Sequence, residues 1–212
     1  MEVRSIPRKL TEDFILNIHY AHRMPSISWS FGLYDGDELI GVCTYGKPAS
    51  SNLQKGVCGN EYAPIVQELN RLVLKYNKPN QASYFVSRTL KMLPRPMIVI
   101  SYADTEQNHN GIVYQASNFI YTGLSAKRTD WKVKGMEHKH GFTIADEFRG
   151  AKNRSEKMRK KYGSDFYLKE RSRKHRYIFF IGSKVERKNM RKKLKYSVEH
   201  YPHLPSTNPP VV

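Results

Sequence analysis

The sequence lacks the features that define several protein classes. It has only two cysteines, Cys43 and Cys58, and no Cys-x-x-Cys pair, which argues against a zinc knuckle or a disulfide framework. No apolar run reaches the roughly 20 residues that cross a bilayer, and the N-terminus has no apolar signal-peptide core. We therefore expect an intracellular protein with no membrane contact, in a compartment that keeps thiols reduced.

Negative charge is also scarce. The 212 residues include 36 Lys and Arg but only 19 Asp and Glu, for a net charge of +17. Residues 126–196 hold 24 of the bases and 8 of the acids, so the rest of the chain is almost neutral. We expect one domain over residues 1–200, a basic C-terminal part at about 126–196, and an irregular Pro-rich tail at 201–212. The charge favours a polyanionic partner, most simply nucleic acid.

Hydrophobic patterning predicts a mixed α/β fold. A β-hairpin around the turn DGDE precedes alternating strands and helices, which combines antiparallel and βαβ connections. The predicted helices cover residues 11–22, 81–93, about 110–121 and 150–162. The predicted strands after the hairpin cover residues 66–75, 97–104, 131–135 and 174–182. We expect a cleft where the strands 66–75 and 97–102 end.

Two side chains near that cleft carry candidate chemistry. Asp104 follows a buried strand; it either caps a turn or is a carboxylate of raised pKa that accepts a proton from an amine. Arg71 lies in an apolar strand, where it needs an acidic partner or a ligand. Glu68, three residues earlier, should lie on the opposite strand face, which leaves Asp104 or a ligand, although a simple ion pair stays open.

His19 and Tyr20 are neighbours in the predicted first helix. Side chains one residue apart on a helix point about 100° apart, so we expect that both cannot face one cleft. His19 could act as a base, an N–H donor or a metal ligand, with Asp104 as a distant second ligand. Tyr114 either fills the core or contributes its hydroxyl to the site.

Four stretches of the chain resemble the phage Mom DNA-modification proteins, a divergent branch of the GNAT acyltransferase fold. They are HY at 19–20, ELNRL at 68–72, NKPNQASYFVSR at 77–88 and the YAD…GIVYQASNFIYTG run ending at residue 123. The resemblance implies a GNAT-like mixed central sheet with splayed strands flanked by helices. It also implies an enzyme of the host cytoplasm that adds a carbamoylmethyl group to adenine N6 in duplex DNA and so protects phage DNA from restriction. The functional positions that it implies are His19, Tyr20, Arg71, Ser87, Asp104 and Tyr114.

One departure concerns the group donor. GNAT enzymes cradle coenzyme A on a Gly-rich turn, but the matching residues here, 77–83, have no glycine, and Pro79 lacks an amide N–H. The usual use of acetyl-CoA is therefore doubtful. Glycyl-tRNA is a candidate donor because glycine supplies two carbons and a nitrogen, as the carbamoylmethyl group requires. An iron site that includes His19 and Asp104 is a further candidate.

The basic segment predicts how DNA is held. An enzyme acting on adenine N6 in a duplex must flip the base out, and cationic contacts to the phosphates would compensate that cost. The expected contacts are Lys127, Arg128, Arg149, Lys152, Arg154, Arg159, Lys160 and Lys161. A homodimer would suit duplex DNA. Two alternatives stay open: a non-enzymatic DNA-binding protein, and a GNAT acyltransferase acting on another amine.

Overall fold

The computed structural model describes residues 1–76, 78–137 and 141–202. Contacts divide the chain into two compact units. The sheet unit comprises Met1–Leu124 and the chain from Lys174 onward, and the insert unit comprises Ser125–Arg173. The insert unit falls almost wholly within the basic segment. That residues 1–200 form a single domain stays a prediction, and most of the expected tail, from residue 203 onward, lies outside the described residues.

The sheet unit is built on a seven-stranded mixed sheet in the order β1-β2-β3-β4-β5-β9-β6. Its strands are β1 (Glu2–Ser5), β2 (Trp29–Asp35), β3 (Glu38–Gly46), β4 (Val66–Leu74), β5 (Met97–Asp104), β6 (Ile120–Leu124) and β9 (Lys174–Ile181). In the described part of the chain, β4 and β5 pair in parallel and the other neighbours in this sheet are antiparallel. The predicted hairpin and the later strands are confirmed.

Helices cover both faces of this sheet. They are α1 (Ser51–Cys58), α2 (Gln81–Met92), α3 (Ile112–Ala116) and α6 (Lys184–Lys192). Along β5, Ile98 and Ile100 belong to the core formed with α1 and α6, whereas Val99 packs in the core formed with α2. This alternation follows from the two-residue period of a strand, and it confirms the predicted mixed sheet flanked by helices.

Two predicted helices are much shorter than expected. A 3-10 turn at Arg8–Thr11 precedes the region 11–22, which contains a π-helical turn at Phe14–Ile18, after which the backbone extends. The helix expected at about 110–121 ends at Ala116, because Asn118 adopts a left-handed conformation (φ 60°) and β6 begins at Ile120. Apolar side chains in both regions belong to turns or strands rather than to one helical stripe.

The insert unit has its own small core. It contains β7 (Thr129–Val133), α4 (Gly141–Asp146), α5 (Arg154–Tyr162) and β8 (Phe166–Glu170), and β7 pairs with β8. The predicted basic helix at 150–162 is confirmed as α5, which begins later. Buried side chains of these four elements form the core: Val133, Ile144, Met158 and Phe166. Among the described residues, no helix is long and apolar enough to cross a membrane.

The two parallel strands separate halfway along their length. β4 and β5 pair from Val66↔Ile98 to Leu69↔Ser101 and no further. Beyond that point β4 continues along β3, and β5 continues along β9. The Ser101 hydroxyl donates to the Leu69 carbonyl at 3.0 Å, at the last point of pairing. The predicted cleft between parting strands is confirmed.

Candidate active site

A cleft of about 680 Å³ opens where β4 and β5 part. Its walls are the outer half of β4, the end of β5, the loop that follows β5, and the residues after the π-helical turn. It brings together four of the six expected site residues: His19, Tyr20, Arg71 and Tyr114. Three further cleft residues were not expected: Glu68, His109 and Lys174.

A β-bulge in β4 places Glu68 and Arg71 in the same cleft. Thr44 pairs with Arg71 and Tyr45 pairs with Leu69, so Asn70 is the extra, unpaired residue. One extra residue reverses the alternation of side chains, and the expectation that Glu68 lies on the opposite face is therefore wrong. The Asn70 amide fixes the bulge: it accepts from the Thr44 hydroxyl at 2.6 Å and donates to the Ser26 carbonyl at 2.7 Å.

Carbonyl oxygens hold the Arg71 guanidinium. Nη1 donates to the Asn70 carbonyl at 2.6 Å, and Nη2 donates to the Arg23 carbonyl at 2.8 Å. The Nε–H is buried and has no hydrogen-bond partner among the described residues. Because buried donors are nearly always paired, this N–H is available to a ligand acceptor in the cleft. The expected ion pair with Asp104 is not formed, and the ligand alternative is the one that the geometry favours.

Glu68 is a half-buried carboxylate in the same cleft as Arg71. Burial raises its pKa, and the neighbouring Arg71 and Lys174 cations partly offset that rise. A carboxylate of raised pKa in a cleft is a suitable proton acceptor. The sequence does not reveal this role, because the bulge contains no glycine or proline and leaves no signal in the apolar pattern of the strand.

His19 and Tyr20 both line the cleft, so the prediction that they diverge is wrong. His19 follows the π-helical turn in an extended conformation (φ −74°, ψ 133°), and the 100° rule of helices no longer applies. The two rings stack with centroids 4.4 Å apart. Tyr20 is 47% exposed, and its ring makes an edge contact with His109 at 6.1 Å.

The protonation of His19 follows from its contacts. The Ala21 amide donates to Nδ1 at 3.0 Å, so the neutral ring carries its proton on Nε2. Burial, followed by the nearby Arg71 cation, lowers the His19 pKa to about 4. At neutral pH His19 is therefore an N–H donor, one of the three roles considered above. Among the described residues, no group of three or more His, Cys, Asp or Glu side chains could hold a metal ion.

Tyr114 packs its ring in the core and also lines the cleft. Its ring packs against Phe119 and Tyr177, with centroid distances of 5.4 and 5.3 Å. Its hydroxyl interacts with the Ser101 hydroxyl at the point where the strands part, and burial raises its pKa well above 10. Gly111 precedes α3 at φ 73°, and a Cβ there would lie 2.3 Å from the Tyr177 ring. Glycine is therefore needed to seat the helix that carries Tyr114.

Asp104 and Ser87 do not line the cleft. Asp104 caps the 3-10 turn at Thr105–Gln107 by accepting from the Glu106 amide at 3.1 Å. Its other oxygen lies 2.9 Å from Nζ of Lys174, which does line the cleft. Asp104 is thus a turn cap, one of its two expected roles, and it is linked to the cleft through its ion pair with Lys174. Ser87 lines a different cavity, between α2 and α6.

The eight expected DNA contacts all lie in the insert unit. Lys127 and Arg128 line a shallow pocket with Arg171 and Arg173. Within the described residues, Arg149 pairs with Asp146 at 2.7 Å, and Lys161 pairs with Glu147. The Arg154 guanidinium lies over the Trp131 ring at 5.8 Å. Three more of these cations are exposed: Lys152, Arg159 and Lys160.

A mixed α/β sheet whose central parallel strands part around a polar cleft defines a GNAT-like fold. A model of the Mom protein family matches residues 1–203, and the chain belongs to that family. It is 30% identical over 212 residues to the methylcarbamoylase mom of Escherichia phage Mu, covering 95% of this chain and 83% of that protein.

Two solved acetyltransferase structures are also similar. A GNAT-family acetyltransferase from Bacillus cereus is 11% identical with a TM-score of 0.43, and the match covers 84% of this chain and 96% of that one. The aminoglycoside 6'-N-acetyltransferase from Enterococcus faecium is 10% identical with a TM-score of 0.45, over 85% of this chain and 97% of that one.

Proposed function

We propose that this chain is a DNA-modifying enzyme that transfers a carbamoylmethyl group to the N6 amine of adenine in duplex DNA, which protects phage DNA from restriction. A methylcarbamoylase in the same family supports the type of group. The net charge of +17 supports a nucleic-acid substrate. The observation that carries the proposal is the bulge that turns Glu68 and Arg71 into one cleft beside a neutral histidine.

Glu68 is the general base of the proposed reaction. The lone pair of adenine N6 is delocalised into the ring, so the amine needs a proton acceptor as its new bond forms. Glu68 lines the cleft and has a raised pKa, whereas Asp104 is engaged by Lys174. We therefore assign proton removal to Glu68, and we assign to Asp104 the positioning of the Lys174 ammonium.

Three donors in the cleft suit the transferred group. The Nε–H of Arg71 lacks an acceptor, and His19 carries its proton on Nε2, so both can donate to a carbonyl oxygen of that group. Tyr114 stays protonated because burial raises its pKa, and it can give its proton to the leaving group.

The substrate that donates the transferred group is a separate question. The first turn of α2 offers no glycine-rich cradle for coenzyme A, and Gln81 and Tyr84 in that turn contact Met1. This supports a donor such as glycyl-tRNA over acetyl-CoA. In this route N6 attacks the glycyl ester carbonyl, the tRNA 3'-hydroxyl leaves with the Tyr114 proton, and the resulting N6-glycyl group, which has the same atoms as a carbamoylmethyl group, isomerises to it.

Tyr20 is suited to receive the extruded base. Its ring is exposed at the cleft, stacked on His19 and flanked by His109. Aromatic rings hold an unstacked base by stacking, which offsets the few kcal/mol that flipping requires. In this proposal the cations of the insert unit bind phosphates of the duplex.

The test is to express the chain in a bacterial host and analyse the host DNA as nucleosides by mass spectrometry. The expected product is a deoxyadenosine carrying one added carbamoylmethyl group, and its amount should be strongly reduced in cells that express Glu68→Gln at equal level. Unmodified DNA from cells that contain folded, soluble wild-type protein would contradict the proposal. In a purified reaction, charged glycyl-tRNA and acetyl-CoA as alternative donors decide which of them is used.

A further inference from the structure

A second cavity, of about 940 Å³, lies between α2 and α6, away from the cleft. It borders the end of β9 that pairs with Met97, whereas the cleft borders the end of β5 at Tyr102 and Ala103. At about 3.3 Å per residue, the span from Met97 to Tyr102 is about 16 Å. The cavity, which we call the α6 groove, is therefore a separate site.

The floor of the α6 groove is apolar and includes an open strand edge. β6 pairs with β9 no further than Ile178, and within the described chain no strand pairs with the outer edge of Phe179–Ile181. The floor includes Leu90 of α2, and Phe179 is a half-buried ring in it. An apolar floor with an accessible aromatic ring is suited to planar, uncharged parts of a ligand.

The rim of the groove carries positive charge only. Its cations are Lys91, Arg95, Lys184, Arg187, Lys188 and Arg191. All six are exposed, and none lies within 4.0 Å of a carboxylate among the described residues. The one acid on α6, Glu186, is engaged in the capping box with Ser183, whose amide donates to it at 2.7 Å. The remaining polar residues of the groove are neutral: Ser87, Ser117 and Asn118.

We propose that the α6 groove binds single-stranded nucleic acid, with phosphates on the six cations and a base against Phe179. Single strands present phosphates and free base faces together, and this combination matches a cationic rim over an aromatic floor. A duplex buries its base faces, and an acidic peptide supplies charge without flat rings. This site is independent of the cleft and of the reaction proposed for it.

The test measures binding of the full chain to fluorescent oligothymidylate and oligouridylate by anisotropy at several salt concentrations. The groove variant Arg187→Ala/Arg191→Ala removes two rim cations. Its control, Lys192→Ala/Lys193→Ala, removes two exposed cations of the same helical region outside the groove. We expect the salt slope for a single strand to fall by about 1.4 in the groove variant, and by much less in the control.

A second variant tests the floor. Phe179→Leu keeps an apolar side chain against Phe119 but removes the stacking surface, and we expect about fivefold or greater loss of oligothymidylate affinity. Thermal unfolding checks that both variants are folded. If either variant is not folded, Lys91→Ala/Arg95→Ala, which removes two other rim cations, takes its place. Comparison of the two oligonucleotides shows whether a thymidylate or a uridylate strand binds more tightly. Equal effects of groove and control variants, or competition by polyglutamate as effective as by single strands, would overturn the proposal.

Discussion

The charged side chains around the two ends of β5 differ in their burial and in their pairing. At the cleft end, Glu68, Arg71 and Lys174 are half-buried and of mixed sign, and the two cations lower the pKa that burial raises at Glu68. At the groove end, six cations are exposed and none is paired with a described acid. Partly buried charges interact strongly and tune proton affinity, whereas exposed ones act on polyanions through salt-dependent attraction. The first arrangement suits chemistry and the second suits binding.

The regularity of strand pairing also differs between the two sides of β5. β5 and β9 are paired throughout, from Met97↔Ile181 to Asp104↔Lys174. On the other side of β5, pairing with β4 ends at Ser101, and β4 is bulged at Asn70. Irregular backbone thus occurs beside the cleft, where polar side chains must converge, whereas β4 and β5 pair regularly from Val66↔Ile98 to Leu69↔Ser101, before the strands part.

Of all the substitutions, Glu68→Gln should distinguish most clearly between modification at the cleft and binding at the α6 groove. Loss of the general base should reduce the rate of DNA modification by about a hundredfold or more. Oligothymidylate binding should be unchanged, because Glu68 does not line the α6 groove. Asp104→Asn is the comparison variant and should cost less, since that carboxylate acts through Lys174. Equal losses in the two variants would assign the base role elsewhere.

The pH dependence of modification should report the same carboxylate. Glu68 accepts a proton only when ionised, and burial raises its pKa above the ordinary value of 4.5. We therefore expect the rate to fall with decreasing pH, and to begin falling at a higher pH than an ordinary glutamate would give. The residual rate of Glu68→Gln should lack this limb. A limb of unchanged position in that variant would mean that another group titrates.

Tyr114→Phe tests the hydroxyl at the point where the strands part. The ring contacts with Phe119 and Tyr177 are retained, so the variant should fold. Without the buried proton donor, we expect modification to slow by about tenfold to a hundredfold. Phe119→Leu, which disturbs the same packing but no hydroxyl, is the control. A rate equal to that of the wild type would leave Tyr114 as a core residue only.

Asn70→Ala tests whether the bulge places the cleft residues. The substitution removes hydrogen bonds with Thr44 and Ser26, and it should lower the free energy of unfolding by about 1–3 kcal/mol. We also expect modification to weaken, while groove binding is unaffected. Asn52→Ala, at an exposed position on α1, should change neither quantity. Full activity in a destabilised Asn70→Ala protein would mean that the bulge persists without its side chain.

Much of the fold could be predicted from local pattern. The hairpin, β4, α2 and β5 are each bounded by turn residues or proline. The predictions failed at the two short aromatic-rich helical regions. A left-handed Asn118 ended one, and a π-helical turn at Phe14–Ile18 replaced the other. These breaks depend on single backbone conformations, which an apolar pattern does not encode.

The site was predicted less completely than the fold. Four expected residues lie in the cleft, since the resemblance supplied positions without requiring geometry. Glu68 was assigned to the wrong face because a strand was assumed to alternate without interruption. Ser87 was placed with the others by the resemblance alone, whereas it lines the α6 groove. Both errors concern the relation between elements, which sequence periodicity does not specify.

The smallest expected effect concerns the stability of the cleft histidine. The His19 pKa is about 4 in the folded chain, against 6.5 when unperturbed. As pH falls through 6.5, the unfolded chain takes up a proton that the folded chain rejects, so stability is lost progressively down to about pH 4. His19→Gln should remove this loss, and its Tm relative to that of the wild type should therefore rise between pH 7 and pH 4. The same substitution at exposed His200 is the control, and parallel pH curves for the His19→Gln protein and the wild type would show that His19 is not held neutral.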